Sequence, residues 1–549
     1  MEKIIKLLKT RDFQVLLIIF FLACFMRLFK LGILPHGFYV EEMTNTYIGR
    51  FILTHGKDVY GNFFPLLYFN KFGDYPPVIP FYVSGLSTFV FGINEFAGRF
   101  PIALAGALTI FPLFAFVHAV MGSKRAGLVS AFLLAVTPWS VVLSRTTSEG
   151  ILGLFIYVWA AYYLVVGYER KDIKTIWFAG FLLFVTYFLY PSYRIIAPLT
   201  LVPFVFDAIR KNNNMRRHLL TLTVVLFAVT LAIASTVWGQ ARLRQTGLFT
   251  SPDVAAGVAA RGRMLSDQLG QGHILQARVF HNKIVLYTRE FFTQYLSYFS
   301  PSYLFLLSGG QYRYFNVPEQ GLIYLSLIPL FLGVCFWRPP AKSRFPLVFI
   351  LYLLLIAPIA AALTVDFSPH AHRSLTMVFP LLVLAGIGFE GLVGLIKHPK
   401  FLSGILISCV ALESIYFWNQ YYAHSDKTDS VFRNDGDREA VTLMKQKVGQ
   451  YTRIVAPVYD RFPLYYAFYT KNFSANIIGK FRDDMRLDQL GTISFVESEC
   501  PTKTDGAVYS GHVLFVDYGK CPVLPGFHTV AEIHRSDDSL AYRFLEASK

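Results

Sequence analysis

Residues 122–174 read GSKRAGLVSAFLLAVTPWSVVLSRTTSEGILGLFIYVWAAYYLVVGYERKDIK. Two apolar runs, 126–143 and 150–168, flank a short polar turn at 144–150. Each run approaches the ~20 residues that an α-helix needs to cross ~30 Å of hydrocarbon. The flanks GSKR (122–125) and YERKDIK (168–174) are rich in Lys and Arg, whereas the turn carries only Arg145. Basic flanks around a basic-poor turn are the charge signature of two helices that leave the cytoplasm and return to it. This stretch predicts a polytopic α-helical membrane protein.

The whole chain agrees. It has 549 residues, 54% of them hydrophobic and 16% charged. Soluble domains run nearer a quarter charged, and the mean hydropathy is +0.45. The balance excludes disorder, collagen, a disulfide-rich scaffold and a soluble multidomain enzyme. The net charge of +16 would suggest nucleic acid on a soluble protein. Here it is first a matter of topology, and no nucleic-acid partner is expected.

Moving outward, eleven apolar spans are predicted, at 13–31, 100–120, 126–143, 150–168, 175–191, 195–209, 218–238, 320–337, 346–364, 374–395 and 401–421. The first is not followed by a small-residue cleavage site. With the N-terminus inside, the cytoplasmic segments are 1–12, 122–125, 168–174, 210–218, 337–344 and 397–400, each with at least two Lys or Arg. The short opposite loops carry one each: Arg145, Arg194 and Arg373. The expectation is a multi-pass protein of the plasma (inner) membrane, with a cytoplasmic N-terminus and an extracytoplasmic C-terminus.

Two outer loops are long, 32–98 and 239–319. Crossing by PPVIPFYVSGLSTFVFG (76–92) would invert every later loop, so it reads as an interfacial helix. The second loop holds Arg242, Arg244, Arg261, Arg263, Arg278, Lys283, Arg289 and Arg313. Loops of this length escape the charge rule, so the density has another cause: anion binding or a solvated basic face. Residues 1–423 form the membrane domain. Residues 424–549 read as an extracytoplasmic α/β domain, with helices at 436–449 and 462–471 and strands at 453–458, 493–497, 512–518, 527–534 and 539–545. Cys500 and Cys521 fall in it and are a candidate disulfide.

Charged residues close to a membrane face are functional candidates. Glu41 and Glu42 follow the first span, Arg99 opens the second, Arg145 and Glu149 join the third and fourth, and His370, His372 and Arg373 join the ninth and tenth. All fall on the outer side by this topology. The competing reading is structural: ion pairs pinning helix ends, for example Glu41 with Arg99. A carboxylate there can act as general base on an acceptor. Arginines can stabilise a departing phosphate, and acids with histidines can hold a divalent ion. No Walker A, dinucleotide-binding or zincin motif is present, so no nucleotide cofactor is expected.

PHGFYVEEMTNTYIGRFIL (35–53), GDYPPVIPFYVSGLSTFVFGINEFAGRFPIALAGALTI (73–110) and AGLVSAFLLAVTPWSVVLSRTTSEGILG (126–153) together resemble the GT-C glycosyltransferases of the protein O-mannosyltransferase and aminoarabinose transferase type, that is family 39 and its bacterial relatives. HAHRSLTMVFPLLVLAGIG (370–388) resembles a later segment of bacterial members. The resemblance implies a membrane-embedded inverting transferase. It would move one sugar, a hexose or pentose, from a polyprenyl-phosphate carrier to an extracytoplasmic protein, lipid or glycan. It implies Glu41 in the place of the family's catalytic Asp, Glu42 as the second acid of that pair, and Glu149 as the acid of the next outer loop. Arg99 matches the arginine that opens span 2.

Two departures stand out. The family's Asp-Glu pair is here Glu41-Glu42, one methylene longer at the first position. Relatives often place a basic residue directly before Pro-Pro, where this chain has Tyr75, with Lys71 four residues earlier. Candidates for the donor phosphate are therefore Arg99, Lys71, Arg373, Arg145 and the Arg-rich loop. Candidates for a divalent metal are Glu41, Glu149, His370 and His372. A multi-sugar oligosaccharyltransferase is disfavoured because the tail lacks W-W-D-Y-G. The rival classes are a flippase for a lipid-linked glycan, disfavoured by acids gathered at one face, and a non-catalytic membrane scaffold.

Overall fold

The computed structural model describes residues 10–307, 313–338, 344–365, 368–505, 508–509 and 511–547. The cytoplasmic segments read at 1–12 and 337–344 fall partly outside these. The chain forms two compact units. One comprises 1–27, 105–143 and 149–417; the other comprises 28–104, 144–148 and 418–549.

The apolar runs are helical, but the count of eleven spans is corrected. Five described helices are long and apolar enough to cross a membrane: Glu95–Met121, Glu149–Arg170, Arg216–Ser235, Leu375–Ile396 and Pro399–His424. A sixth is reached if Lys124–Val136 and Pro138–Ser144, bent by 53°, count as one span. The other predicted spans are apolar helices that fall short. Ile173–Thr186 has 14 residues, or about 21 Å at 1.5 Å per residue. Leu325–Phe336 and Leu347–Ala362 are also under 18 residues. Arg11–Leu28 is long enough but contains Arg11, Asp12 and Arg27. Tyr193–Arg210 contains Arg194, Asp207 and Arg210, with Pro198 and Pro203 inside. A hydropathy window counts apolar residues and does not see where a helix stops.

The charge in Arg11–Leu28 has its own explanation. Arg27 is fully buried. Its guanidinium donates to the carbonyls of Ala23 (3.2 Å), Ala135 (2.8 Å) and Leu134 (2.9 Å) and to Ser140 Oγ (2.8 Å). A buried cation bonded to three backbone carbonyls and a hydroxyl is compatible with an apolar helix.

The second unit contains a six-stranded sheet of order β2-β3-β1-β4-β6-β5. The strands are β1 Arg453–Pro457, β2 Gln489–Leu490, β3 Ile493–Val496, β4 Val513–Tyr518, β5 Phe527–His534 and β6 Leu540–Ala547. The central β3-β1-β4 set is parallel and the flanks are antiparallel. The five predicted strands and the helices Asp437–Lys447 and Phe462–Tyr469 are present. Cys500 and Cys521 are joined by a disulfide.

One core unites this sheet with helix Val40–His55, the helix that carries the acidic pair. Phe38, Met43, Tyr47 and Phe51 pack in the same cluster as Val441, Ile454, Phe462, Leu514 and Phe544. Polar contacts reinforce it. Tyr465 donates to the carbonyl of Phe38 (2.6 Å) and Tyr47 to that of Asn472 (2.9 Å). Helix Val40–His55 also crosses Ile79–Phe91 closely. A Cβ at Gly49 would lie 1.8 Å from the Phe81 carbonyl oxygen, so only glycine fits there.

Candidate functional site

Helix Val40–His55 starts with Glu41 and Glu42 in its first turn, where the helix dipole favours negative charge. The two carboxylates then part company. Glu42 is buried. Its Oε1 accepts from Arg99 Nε (3.0 Å) and from the Thr147 amide (3.2 Å). Its Oε2 accepts from Arg99 Nη2 (2.9 Å) and from the Tyr39 amide (3.2 Å), closing a capping box. Glu41 instead keeps 41% of its side chain exposed and pairs with Lys71. Lys71 is buried and also donates to Asn45 Oδ1 (3.2 Å), one helical turn beyond Glu41. The competing structural reading held for an ion pair at Arg99, but its partner is Glu42 and not Glu41.

Arg99 is completely enclosed. Besides Glu42, it donates from Nη1 to the carbonyls of Leu31 (3.2 Å) and Pro35 (3.0 Å), and from Nη2 to that of Gly37 (2.7 Å). A guanidinium has five N–H groups, and all five are spent. Arg99 therefore has no donor left for a phosphate. Its bonds tie Glu42 to the 31–37 turn, a geometry that suits positioning. Arg145 is likewise enclosed. It donates to the carbonyls of Phe29 (2.8 Å) and Leu34 (3.1 Å) and to Tyr421 Oη (3.2 Å), with Trp418 and Tyr421 rings 5.6 and 5.3 Å away. Its bonds tie the 29–34 segment to Tyr421.

In the other unit, Glu149 opens helix Glu149–Arg170. Its Oε2 lies 4.0 Å from His372 Nε2. That nitrogen accepts from the Gly150 amide (3.4 Å). The imidazole of His372 sits against Tyr190 (4.7 Å) and Phe315 (4.9 Å). His370 is buried, and its Nδ1 accepts from the His372 amide (3.2 Å). Burial first, then the charge of Arg373 and the neighbouring His372, push His370 well below the usual histidine range. It is neutral, which suits the acceptor role. The four metal candidates do not form a cage. Among the described residues no group of three or more His, Cys, Asp or Glu could hold an ion.

The same unit contains a cavity of about 410 Å³. Its walls are largely apolar, from Ile195, Ile233, Leu243, Phe249 and Leu363, and three arginines line it: Arg194, Arg242 and Arg373. Backbone pairing holds the segments together. Leu248 N–H donates to the Leu363 carbonyl (2.9 Å), and Val365 N–H to that of Thr246 (3.0 Å). Arg373 donates to Thr364 Oγ1 (2.8 Å). Of these arginines, Arg373 and, within the Arg-rich loop, Arg242 are phosphate candidates from sequence. Arg194 had one signal, its place in a short loop read as outer, where the charge rule does not call for a basic residue.

Residues 74–238 match the family model for dolichyl-phosphate-mannose-protein mannosyltransferase. No curated protein matches the sequence. Among solved structures, the chain is similar to ArnT from Cupriavidus metallidurans bound to undecaprenyl phosphate, at 12% identity and a TM-score of 0.51 over 97% of both chains. It is also similar to the archaeal oligosaccharyltransferase AglB from Archaeoglobus fulgidus in complex with an inhibitory peptide and a dolichol-phosphate. There identity is 15% and TM-score 0.50, over 92% of this chain and 69% of that one. At such identities the likeness is one of fold. Family model and fold agree with the motifs: the chain is a multi-pass membrane protein similar to the GT-C glycosyltransferases of the protein O-mannosyltransferase and ArnT type.

Proposed function

We propose that the protein is an inverting glycosyltransferase that moves one sugar from a polyprenyl-phosphate carrier to an extracytoplasmic acceptor. The observation that carries this reading is the cavity lined by Arg194, Arg242 and Arg373. Apolar walls suit a lipid chain, and clustered guanidinium groups suit its phosphate. The two similar structures contain undecaprenyl phosphate and dolichol-phosphate.

In the proposed reaction the acceptor group attacks the anomeric carbon and Glu41 takes its proton. The bond from that carbon to the phosphate oxygen breaks, and the electron pair leaves with the lipid phosphate, which the three arginines stabilise. The transition state has oxocarbenium character, as in glycoside cleavage. Lys71 holds Glu41 through their ion pair, and Glu42 and Arg99 fix the helix start. Residues 1–423 carry the transfer. The domain at 424–549, extracytoplasmic in this reading, selects or covers the acceptor.

The test is Glu41→Gln in purified, lipid-reconstituted protein. Turnover is expected to fall about 10²–10⁴-fold with unfolding temperature preserved. Full activity would remove the general-base assignment; no transfer by the unmodified protein, with envelope glycans unchanged in its absence, would return the flippase or scaffold reading. Mass spectrometry of the cell envelope with and without the protein identifies the missing hexose- or pentose-sized unit.

A further inference from the structure

Residues 252–297 form three helices that the proposed chemistry does not use: Pro252–Leu269, Ile274–Phe280 and Lys283–Ser297. Proteins ordinarily expose large apolar side chains singly. Here Ile274, Leu275, Val279, Phe280, Ile284 and Val285 are all 40–78% exposed within twelve residues. Helix Lys283–Ser297 extends the pattern. Val285, Arg289, Phe292 and Leu296 follow at i, i+4, i+7 and i+11, which is one helical stripe, and only Leu286 of this helix is buried.

The charges are one-sided. No Asp or Glu occurs from 268 to 289, whereas Arg278, Lys283 and Arg289 do. Arg261 is spent on Glu290 at 3.5 Å. Among the described residues no carboxylate pairs with Arg278, Lys283 or Arg289. Exposed aliphatic side chains interleaved with unpaired cations suit a surface that is apolar below and anionic above. A phospholipid interface has both layers. The chain also has helices long enough to cross a bilayer, so lipid is always at hand.

We propose that residues 274–296 seat in the surface of an anionic phospholipid bilayer. The apolar side chains enter the boundary between headgroups and acyl chains, and Arg278, Lys283 and Arg289 meet lipid phosphates. None of these residues belongs to the donor or acceptor machinery proposed above, so the two readings can fail separately.

The experiment places an environment-sensitive fluorophore on Leu275→Cys in the full chain, with Cys24, Cys335 and Cys409 replaced. The protein is held in nanodiscs of phosphatidylcholine alone or with phosphatidylglycerol at about a third of the lipid. A blue-shifted emission is expected, quenched by shallow nitroxide-labelled lipid and about twofold less by iodide than a probe at Lys503→Cys. The shift should shrink in phosphatidylcholine alone and in R278Q/K283Q/R289Q. Equal iodide quenching at both probes would overturn the proposal. Protection from iodide without lipid quenching would overturn it in favour of a protein contact. An identical shift in both nanodiscs and in the triple variant would overturn the anionic requirement.

Discussion

Two adjacent glutamates do different work because their side chains leave the helix 100° apart. Glu42 turns inward and meets Arg99 in a two-pronged pair, while Glu41 turns outward and meets Lys71. A buried pair costs most when one partner is removed, because a charge is stranded. Arg99→Gln is therefore expected to destabilise the fold by about 3–5 kcal/mol, read as a lower unfolding temperature in detergent. A variant of normal stability that no longer binds undecaprenyl phosphate would instead return Arg99 to the donor site. Arg373→Ala is expected to do the reverse: unfolding temperature held, lipid-phosphate affinity down at least about tenfold.

Asp437 tests burial in the unit that contains the six-stranded sheet. It is buried in the first turn of helix Asp437–Lys447. Tyr542 donates to its Oδ1 (2.6 Å), while Oδ2 has no partner among the described residues. Burial pushes its pKa up to about 8, against the lowering effect of the Tyr542 hydrogen bond. The folded state thus keeps a proton that the unfolded state releases near pH 4. The associated stability is fully present below pH 4 and is lost as pH rises to 8. Asp437→Asn should flatten this slope and stabilise the protein at pH 8 by on the order of a few kcal/mol. A pH series of unfolding temperatures for both proteins checks it; parallel curves would show that Asp437 is ionised in the fold.

At the scale of elements, breaks matter more than composition. The run read as one span at 126–143 bends by 53° between Val136 and Pro138. The cause is visible in the sequence: Pro138 pushes Thr137 out of the α region, to φ −58°, ψ 127°. Where a helix meets another chain segment is not visible in that way. Gly49 lies in an ordinary polar-apolar mixture, yet it sets how near Val40–His55 and Ile79–Phe91 approach. Gly49→Ala should cost about 1–3 kcal/mol by forcing those helices apart. An unchanged unfolding temperature would contradict the crossing. The strands were legible because each is a β-rich run bounded by turn residues. The exception is Gln489–Leu490, whose two residues are too few to show a period. The disulfide closes a separation of 21 residues, and its reduction should lower stability by about 3 kcal/mol, seen as a drop in unfolding temperature with reductant.

For the whole molecule, the distribution of Lys and Arg is the largest-scale signal. It carries the proposed orientation. Alkaline phosphatase fused at the C-terminus should be active in a bacterial host if that end lies outside; activity only of a cytoplasmic reporter would reverse the orientation. The sequence by itself determined the membrane class, the C-terminal sheet and which charged residues interrupt the apolar runs. Hydropathy, strand periodicity and charge bias are local properties, and each survives in a linear reading. Tertiary structure alone decided that Arg99 is spent on Glu42 and three carbonyls, that Glu41 stays open, and that Arg194 and Arg242 join Arg373 around one cavity. It alone decided that helix Val40–His55 shares its core with a sheet some four hundred residues later in the chain. Those facts depend on which donors meet which acceptors across long sequence separations, and a hydrogen bond leaves no trace in the order of residues until the chain has closed around it.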